Sequence, residues 1–176
     1  MIQKDIKSSI REYFFDNPTS KLRVRHIERV LKLPLPSVIR YCRELEKEGI
    51  LKTIKTGNVV FYTADRSNEN FLLEKKLFNI KKLYYSGLIR YLKSELSNPT
   101  IVVFGSYAKG EDIEKSDIDL FMESTKKDID LGRFEKTLKR KVQLFIHRDI
   151  REIPNLHLAN NILNGIVLNG FVEVFR

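Results

Sequence analysis

The sequence predicts an α+β protein in successive parts: three short helices and a β-hairpin, a linking helical stretch, then a mixed sheet with helices. Three observations carry this. Apolar side chains recur at helical spacing to about Lys47 and then give way to two β-rich runs around a Gly-containing turn. Residues 69–96 repeat apolar positions at alternating steps of four and three. From Ile101 the period changes again, and short apolar strands alternate with helical patterns. The expected divisions are residues 1–66, 67–98 and 99–176.

The first helix is expected over residues 4–15, where Ile6, Ile10 and Phe14 share a face. Asn17-Pro18-Thr19-Ser20 breaks the chain. Val24, Ile27, Val30 and Leu31 mark a second helix, and Leu33-Pro34-Leu35-Pro36 a tight connection with Pro36 at the first position of a third. That helix runs to about Lys47 with Val38, Ile39, Cys42 and Leu45 as its buried stripe, and Gly49 stops it. Ile50–Ile54 and Val59–Tyr62, either side of Lys55-Thr56-Gly57-Asn58, form the hairpin.

Charge is uneven along the chain. The net charge of +9 divides into +6 over residues 1–66, from 14 Lys and Arg against 8 Asp and Glu, and +3 over the other 110 residues. An excess in the smaller part points to a polyanion there, with a solvated basic surface as the alternative. The pattern over residues 4–64 resembles the winged helix-turn-helix family, which implies DNA as the partner. On that resemblance the DNA-facing residues are Ser37, Arg40, Tyr41 and Arg43 on the third helix, with Lys52, Lys55 and Asn58 on the wing. They are the polar positions left once the buried stripe is removed. A helical cap without DNA contact, or a module for protein contact, are the alternatives.

In the linking stretch, Leu73, Leu77, Ile80, Tyr84, Gly87 and Tyr91 give a coiled-coil-like seam in one long helix or two. The expectation is a homodimer through this helix, since winged helices often read paired half-sites. Local packing is the alternative. Asn98-Pro99 ends the stretch.

In the last part, Ile101–Phe104, Ile118–Met122 and Lys141–His147 read as strands, with helices over 131–138 and 156–164. The apolar run from Gly165 to Phe175 adds an edge strand or hairpin. The first strand ends in Gly105-Ser106, with Lys109 close behind, and after ten intervening residues come Asp117 and Asp119 at the start of the second strand. Gly105 allows a sharp turn and a close backbone approach. Ser106 offers an N–H and a hydroxyl at a helix start, and Lys109 a point charge for a phosphate. Residues two apart on a strand share a face, so Asp117 and Asp119 point the same way. Two adjacent carboxylates repel unless a cation lies between them, and Mg²⁺ with oxygen ligands suits such a pair. Ser116 reads as structural.

This arrangement resembles the nucleotidyltransferase superfamily that includes DNA polymerase β, most closely its minimal single-domain branch, over roughly residues 85–172. The resemblance implies a nucleoside triphosphate, expected to be ATP, bound at Gly105, Ser106 and Lys109. It implies Mg²⁺ on Asp117 and Asp119, which are also the catalytic pair, and transfer of a nucleoside monophosphate to an acceptor hydroxyl. The spacing also resembles antitoxins that adenylylate a partner toxin, which implies a protein acceptor. The family's third carboxylate, on the neighbouring strand, is best matched here by Gln143, which can offer a carbonyl oxygen but cannot act as a base. His147, Asp149 and Glu123 are the other candidates for that role. A regulator that senses a nucleotide without catalysis is therefore the alternative function.

One cysteine, Cys42, rules out an internal disulfide framework. The mixed, polar stretch from Met1 to Lys7 predicts no signal peptide, and no apolar run reaches the ~20 residues of a membrane span. The expected location is the cytoplasm.

Overall fold

Asp5 opens the first helix, its carboxylate accepting from the Ser8 N–H at 3.3 Å, as an N-cap should. The computed structural model describes residues 5–125 and 127–175. Helix α1 spans Ile6–Asp16, α2 Val24–Leu31 and α3 Leu35–Lys47. Strands β1 (Leu51–Thr56) and β2 (Val59–Ala64) pair antiparallel, with Thr56 opposite Val59, so Gly57 and Asn58 alone make the turn. Leu22 and Tyr62 exchange backbone hydrogen bonds at 2.9 and 2.8 Å, laying a further extended residue beside β2. Ile10, Phe14, Ile27, Val38, Cys42, Leu45 and Leu51 are the centre of this unit's core.

Two expectations on α3 are corrected. The helix begins at Leu35, so Pro36 is its second residue; the N–H it lacks would have had no helical partner there either. Ile39 is only half-buried and lines an open surface cavity with Arg40, Arg43 and Lys47, while Val38, Cys42 and Leu45 fill the core.

The linking stretch is two helices, α4 (Glu69–Tyr85) and α5 (Leu88–Glu95). Gly87, at φ +79°, breaks them in a left-handed conformation that suits glycine. The chain divides into two compact units inside α4, Met1–Phe78 and Asn79–Arg176. On α4, Phe71, Lys75, Asn79 and Leu83 are buried, and the Lys75 ammonium donates to the Phe15 carbonyl at 2.9 Å. Leu73, Leu77 and Tyr84 are exposed.

The second unit is built on a four-stranded mixed sheet in the order β5-β4-β3-β6. Strand β3 spans Thr100–Phe104, β4 Ile118–Glu123, β5 Val142–His147 and β6 Ile166–Asn169. Strand β3 is antiparallel to β4 and β6, and β4 is parallel to β5. The apolar run after Gly165 thus supplies an edge strand. Helix α6 (Gly105–Lys109) follows β3 directly, α7 (Gly132–Leu138) crosses from β4 to β5, and α8 (Leu156–Leu163) precedes β6.

Strand alternation divides the sheet's side chains between two cores. Ile101, Val103, Ile118, Leu120, Met122 and Val142 face α5, α6 and α7, where Leu92, Tyr107, Phe134 and Leu138 meet them. Val102, Phe104 and Phe121 face Ile150, Ile153 and Ile162 on the other side. None of the described helices is long and apolar enough to cross a membrane.

Candidate nucleotide and metal site

The C-terminal end of β3 and the N-terminal ends of β4 and β5 lie at one edge of the sheet, because β3 runs antiparallel to the other two. That edge gathers Gly105, Ser106, Asp117, Asp119 and Gln143. Asp119 pairs with Phe104 across β3 and with Gln143 across β5. Register partners in neighbouring strands share a face, so Asp119 and Gln143 stand side by side. The expected third position is thus the residue that the parallel register sets next to Asp119. Asp117 lies one residue before β4 and is exposed.

Gly105 meets two demands at once. Its φ of +70° is left-handed, and a Cβ on it would stand 2.6 Å from Asp119 Oδ2. The backbone turn and the carboxylate therefore approach closely only because this residue has no side chain. Helix α6 starts at Gly105 with no side chain capping it. Ser106 is half-buried, and its hydroxyl has no hydrogen-bond partner among the described residues. Lys109 is exposed one helical turn after Ser106, on the same side of α6.

Asp119 is half-buried, and its carboxylate has no hydrogen-bond donor among the described residues. Burial, and then the charge of Asp117, raise its pKa above the ordinary aspartate value. A half-buried carboxylate that repels its neighbour is a site that gains from a cation. Among the described residues no cluster of three or more His, Cys, Asp or Glu side chains could hold a metal. The donor set here is two carboxylates with the neutral oxygen of Gln143. That set fits a hard cation which keeps several waters and shares its shell with phosphates, as Mg²⁺ does.

The other three candidates for the third position do not reach Asp119. Strand β5 carries His147 four residues beyond Gln143, about 13 Å along the strand, and His147 pairs instead with Glu123. Glu123 accepts from the Ile150 N–H at 3.3 Å, and Asp149 accepts from the Arg151 N–H at 2.8 Å and pairs with that guanidinium. All three stand at the opposite end of β4 and β5.

A buried polar network that the sequence did not announce braces the loop from α6 to β4. Asn79 Nδ2 donates to the Tyr107 carbonyl at 2.9 Å and to Asp112 Oδ1 at 2.7 Å. Arg140 Nη1 donates to the Glu114 carbonyl at 2.6 Å, and Arg140 Nη2 is 3.7 Å from Asp112 Oδ2. Ser116 closes the turn twice: its hydroxyl accepts from the Ile113 N–H and its own N–H donates to the Ile113 carbonyl, both at 3.0 Å. Ser116 is structural, as its place before the aspartates suggested. Asn79 and Arg140 lie far from the motif in sequence, and only the low expected exposure of a polar α4 position could have pointed to Asn79.

In the first unit, Arg40 and Arg43 are exposed on α3, and Ser37 and Tyr41 half-buried. The Arg40 guanidinium lies 4.3 Å from the Tyr41 ring centroid. The hairpin residues separate. Thr53, on the side of β1 facing α3, donates to Glu46 at 2.8 Å, and Lys55 shares that side by strand alternation. Lys52 points to the other side and donates to Asp65 at 2.9 Å. Lys55 and Asn58 are exposed at the hairpin tip.

Residues 86–168 match the family model for a nucleotidyltransferase domain. The span covers β3 to most of β6 and includes Gly105, Ser106, Asp117, Asp119 and Gln143, and it supports nucleotidyl transfer as the general chemistry of this unit. No curated protein and no solved structure matches the chain.

Proposed function

We propose, from the premise that residues 86–168 form a nucleotidyltransferase domain, that the protein moves a nucleoside monophosphate from a nucleoside triphosphate, ATP first, to an acceptor hydroxyl. The observation that carries this is the close packing of Gly105 on Asp119, with 2.6 Å from the position of a Gly105 Cβ to Asp119 Oδ2. It sets the uncapped start of α6 against the carboxylate that most needs a cation. The α6 backbone and the Ser106 hydroxyl hold phosphate oxygens, and Lys109 balances their charge. Asp117 and Asp119 hold Mg²⁺, which when bound neutralises the phosphates and polarises the transferred phosphorus. Gln143 orients but takes no proton, so the acceptor hydroxyl loses its proton to solvent.

The first unit is read as a winged helix that carries this chemistry to DNA. Three helices, a hairpin and a net charge of +6 over residues 1–66 support that reading. Leu73, Leu77 and Tyr84, exposed on α4 at near-heptad spacing, support pairing of two copies.

A second reading is favoured by one observation, the neutral Gln143 beside Asp119. On it, the domain binds the nucleotide as a signal and catalyses nothing. Incubation with Mg²⁺, α-labelled ATP and host-cell extract separates the two. Transfer of label with release of pyrophosphate supports the enzyme; nucleotide binding without either supports the sensor.

A further inference from the structure

Helices α5 and α7 pack on the same face of the four-stranded sheet, and an open cavity of about 530 Å³ lies between them. Asp119 comes between Ile118 and Leu120 on β4, both turned toward those helices, so its carboxylate leaves the sheet on the other face. The sheet therefore stands between this cavity and the Asp119 carboxylate. None of Gly105, Ser106, Asp117, Asp119 and Gln143 lines it.

The two helices bring the same pair of functions to the cavity. Arg90 and Ser94 are one turn apart on α5, and Arg133 and Thr137 one turn apart on α7, and all four line it. Both arginines are exposed and have no ion-pair partner among the described residues. No carboxylate among the described residues lines the cavity. Two unpaired guanidinium groups therefore face one open space with no anion between them, and an anion there relieves their repulsion. The Ser94 hydroxyl has no hydrogen-bond partner among the described residues, so it is free to donate. The Thr137 hydroxyl donates to the Arg133 carbonyl at 2.9 Å and keeps its oxygen as an acceptor. The Arg133 guanidinium lies 4.7 Å from the Tyr91 ring centroid and 4.5 Å from that of Phe134, and the two rings are 5.0 Å apart. Held over two rings, the guanidinium offers a planar group on which a base stacks. Gly87 keeps the entrance clear, since a Cβ there would meet nothing within 4 Å.

We propose that this cavity is a second ligand site, separate from the aspartates, that takes a nucleoside monophosphate without a metal ion. Arg90 and Ser94 hold the phosphate, the base lies on Arg133, and Thr137 accepts from the ribose or the base. A phosphate monoester carries about two negative charges, which the two arginines match. A triphosphate brings more charge than they balance, and no carboxylate lines the cavity to hold the cation that would offset it. Small-ligand sites occupy roughly 300–1,000 Å³, so the cavity has room for a mononucleotide. The site goes beyond the transfer reading and does not depend on it.

The test is calorimetric titration of AMP into the full chain in EDTA, where Asp117 and Asp119 carry no cation and repel a phosphate. Wild type should bind AMP under these conditions. Arg90→Ala and Arg133→Ala should each weaken it by about tenfold or more, as loss of a charge-assisted contact requires. Arg133→Lys keeps the charge and a stem over Tyr91 and Phe134 but loses the planar face, so it should weaken AMP as well and guards against loss of fold. All three variants should melt with wild type, because both side chains are exposed. Ribose 5-phosphate and inorganic phosphate should bind about tenfold more weakly than AMP, since neither has a base to stack. Asp119→Asn should leave AMP binding in EDTA unchanged. Failure of wild type to bind AMP in EDTA overturns the proposal, and so does equal AMP affinity in wild type and the two alanine variants. Loss of AMP binding in Asp119→Asn would give the nucleotide to the aspartates instead. Inorganic phosphate binding as tightly as AMP would remove the nucleoside from the ligand. None of these readouts needs turnover, so the transfer reading can fail while this site stands.

Discussion

Asp119 on β4 and Gln143 on β5 are register partners in a parallel pair, so the one neutral donor of the site is the immediate neighbour of its most buried carboxylate. The arrangement has the position of a third acid without its charge. Replacing Gln143 by Asp adds a carboxylate, one methylene shorter than the glutamine amide, where two carboxylates already repel. In the metal-free protein that raises the Asp119 pKa further. With Mg²⁺ the balance reverses, because the added anion faces a divalent cation. Magnesium titration without nucleotide should show at least about tenfold tighter binding in Gln143→Asp than in wild type. Pyrophosphate release should rise with it. Equal magnesium affinity in the two proteins would remove Gln143 from the metal's surroundings.

Gly105→Ala should damage both fold and site. The left-handed backbone at φ +70° costs a residue with a Cβ about 1–2 kcal/mol. The added carbon must also push Asp119 Oδ2 away from 2.6 Å. Urea denaturation should therefore show a loss of about 1–3 kcal/mol, with ATP binding weakened beyond what the unfolded fraction explains. A variant as stable as wild type that binds ATP equally well would mean that this turn relaxes freely.

Asp119→Asn should have the opposite effect on stability. Burial and the charge of Asp117 raise the Asp119 pKa, so the folded state holds its proton more tightly than the unfolded state does. The folded state then binds more protons across the interval between the ordinary value and the raised one, and stability falls as pH rises through it. At neutral pH the full penalty is present. Asparagine removes it, so in EDTA the variant should melt above wild type at pH 7. The difference should shrink as pH drops below the ordinary aspartate range. Mg²⁺ with ATP should stabilise wild type and leave the variant unmoved.

The motif from Gly105 to Asp119 was legible because its chemistry is local: a turn, a helix start and alternation on one strand. The choice of Gln143 over His147 was legible only in part. Alternation puts both on one face, and it is the parallel register that brings 143 to Asp119 and leaves 147 about 13 Å away. The break at Gly87 was hidden by the apolar spacing, which runs through it as if one helix continued. Asn79, Asp112 and Arg140 were not legible, because a buried polar contact between distant segments leaves no periodic trace.

Two lysines of the hairpin, Lys52 and Lys55, look alike in the sequence and are separated by the structure. Lys55 and Lys52 are three residues apart on β1, an odd step, so their side chains leave opposite faces of the hairpin. Lys55 shares the face that meets α3 and is exposed near the Gly57-Asn58 turn. Lys52 is tied at 2.9 Å to Asp65. Its ammonium helps hold the Asp65 pKa below the ordinary value, against the upward effect of burial and together with hydrogen bonds from Ser67. A phosphate would have to displace that carboxylate. Lys55→Ala should weaken duplex binding by a similar factor on every sequence and reduce the salt slope by about 1, as loss of a single phosphate contact requires. Lys52→Ala should leave both nearly unchanged. Arg40→Ala should act differently again, because Arg40 is exposed on α3 beside Tyr41, where it can meet base edges, and its loss should relax sequence preference more than total affinity. Filter binding of the three variants on specific and random duplexes across a salt series separates these outcomes. An Arg40→Ala/Lys55→Ala double variant with wild-type affinity would end the assignment of DNA to this unit.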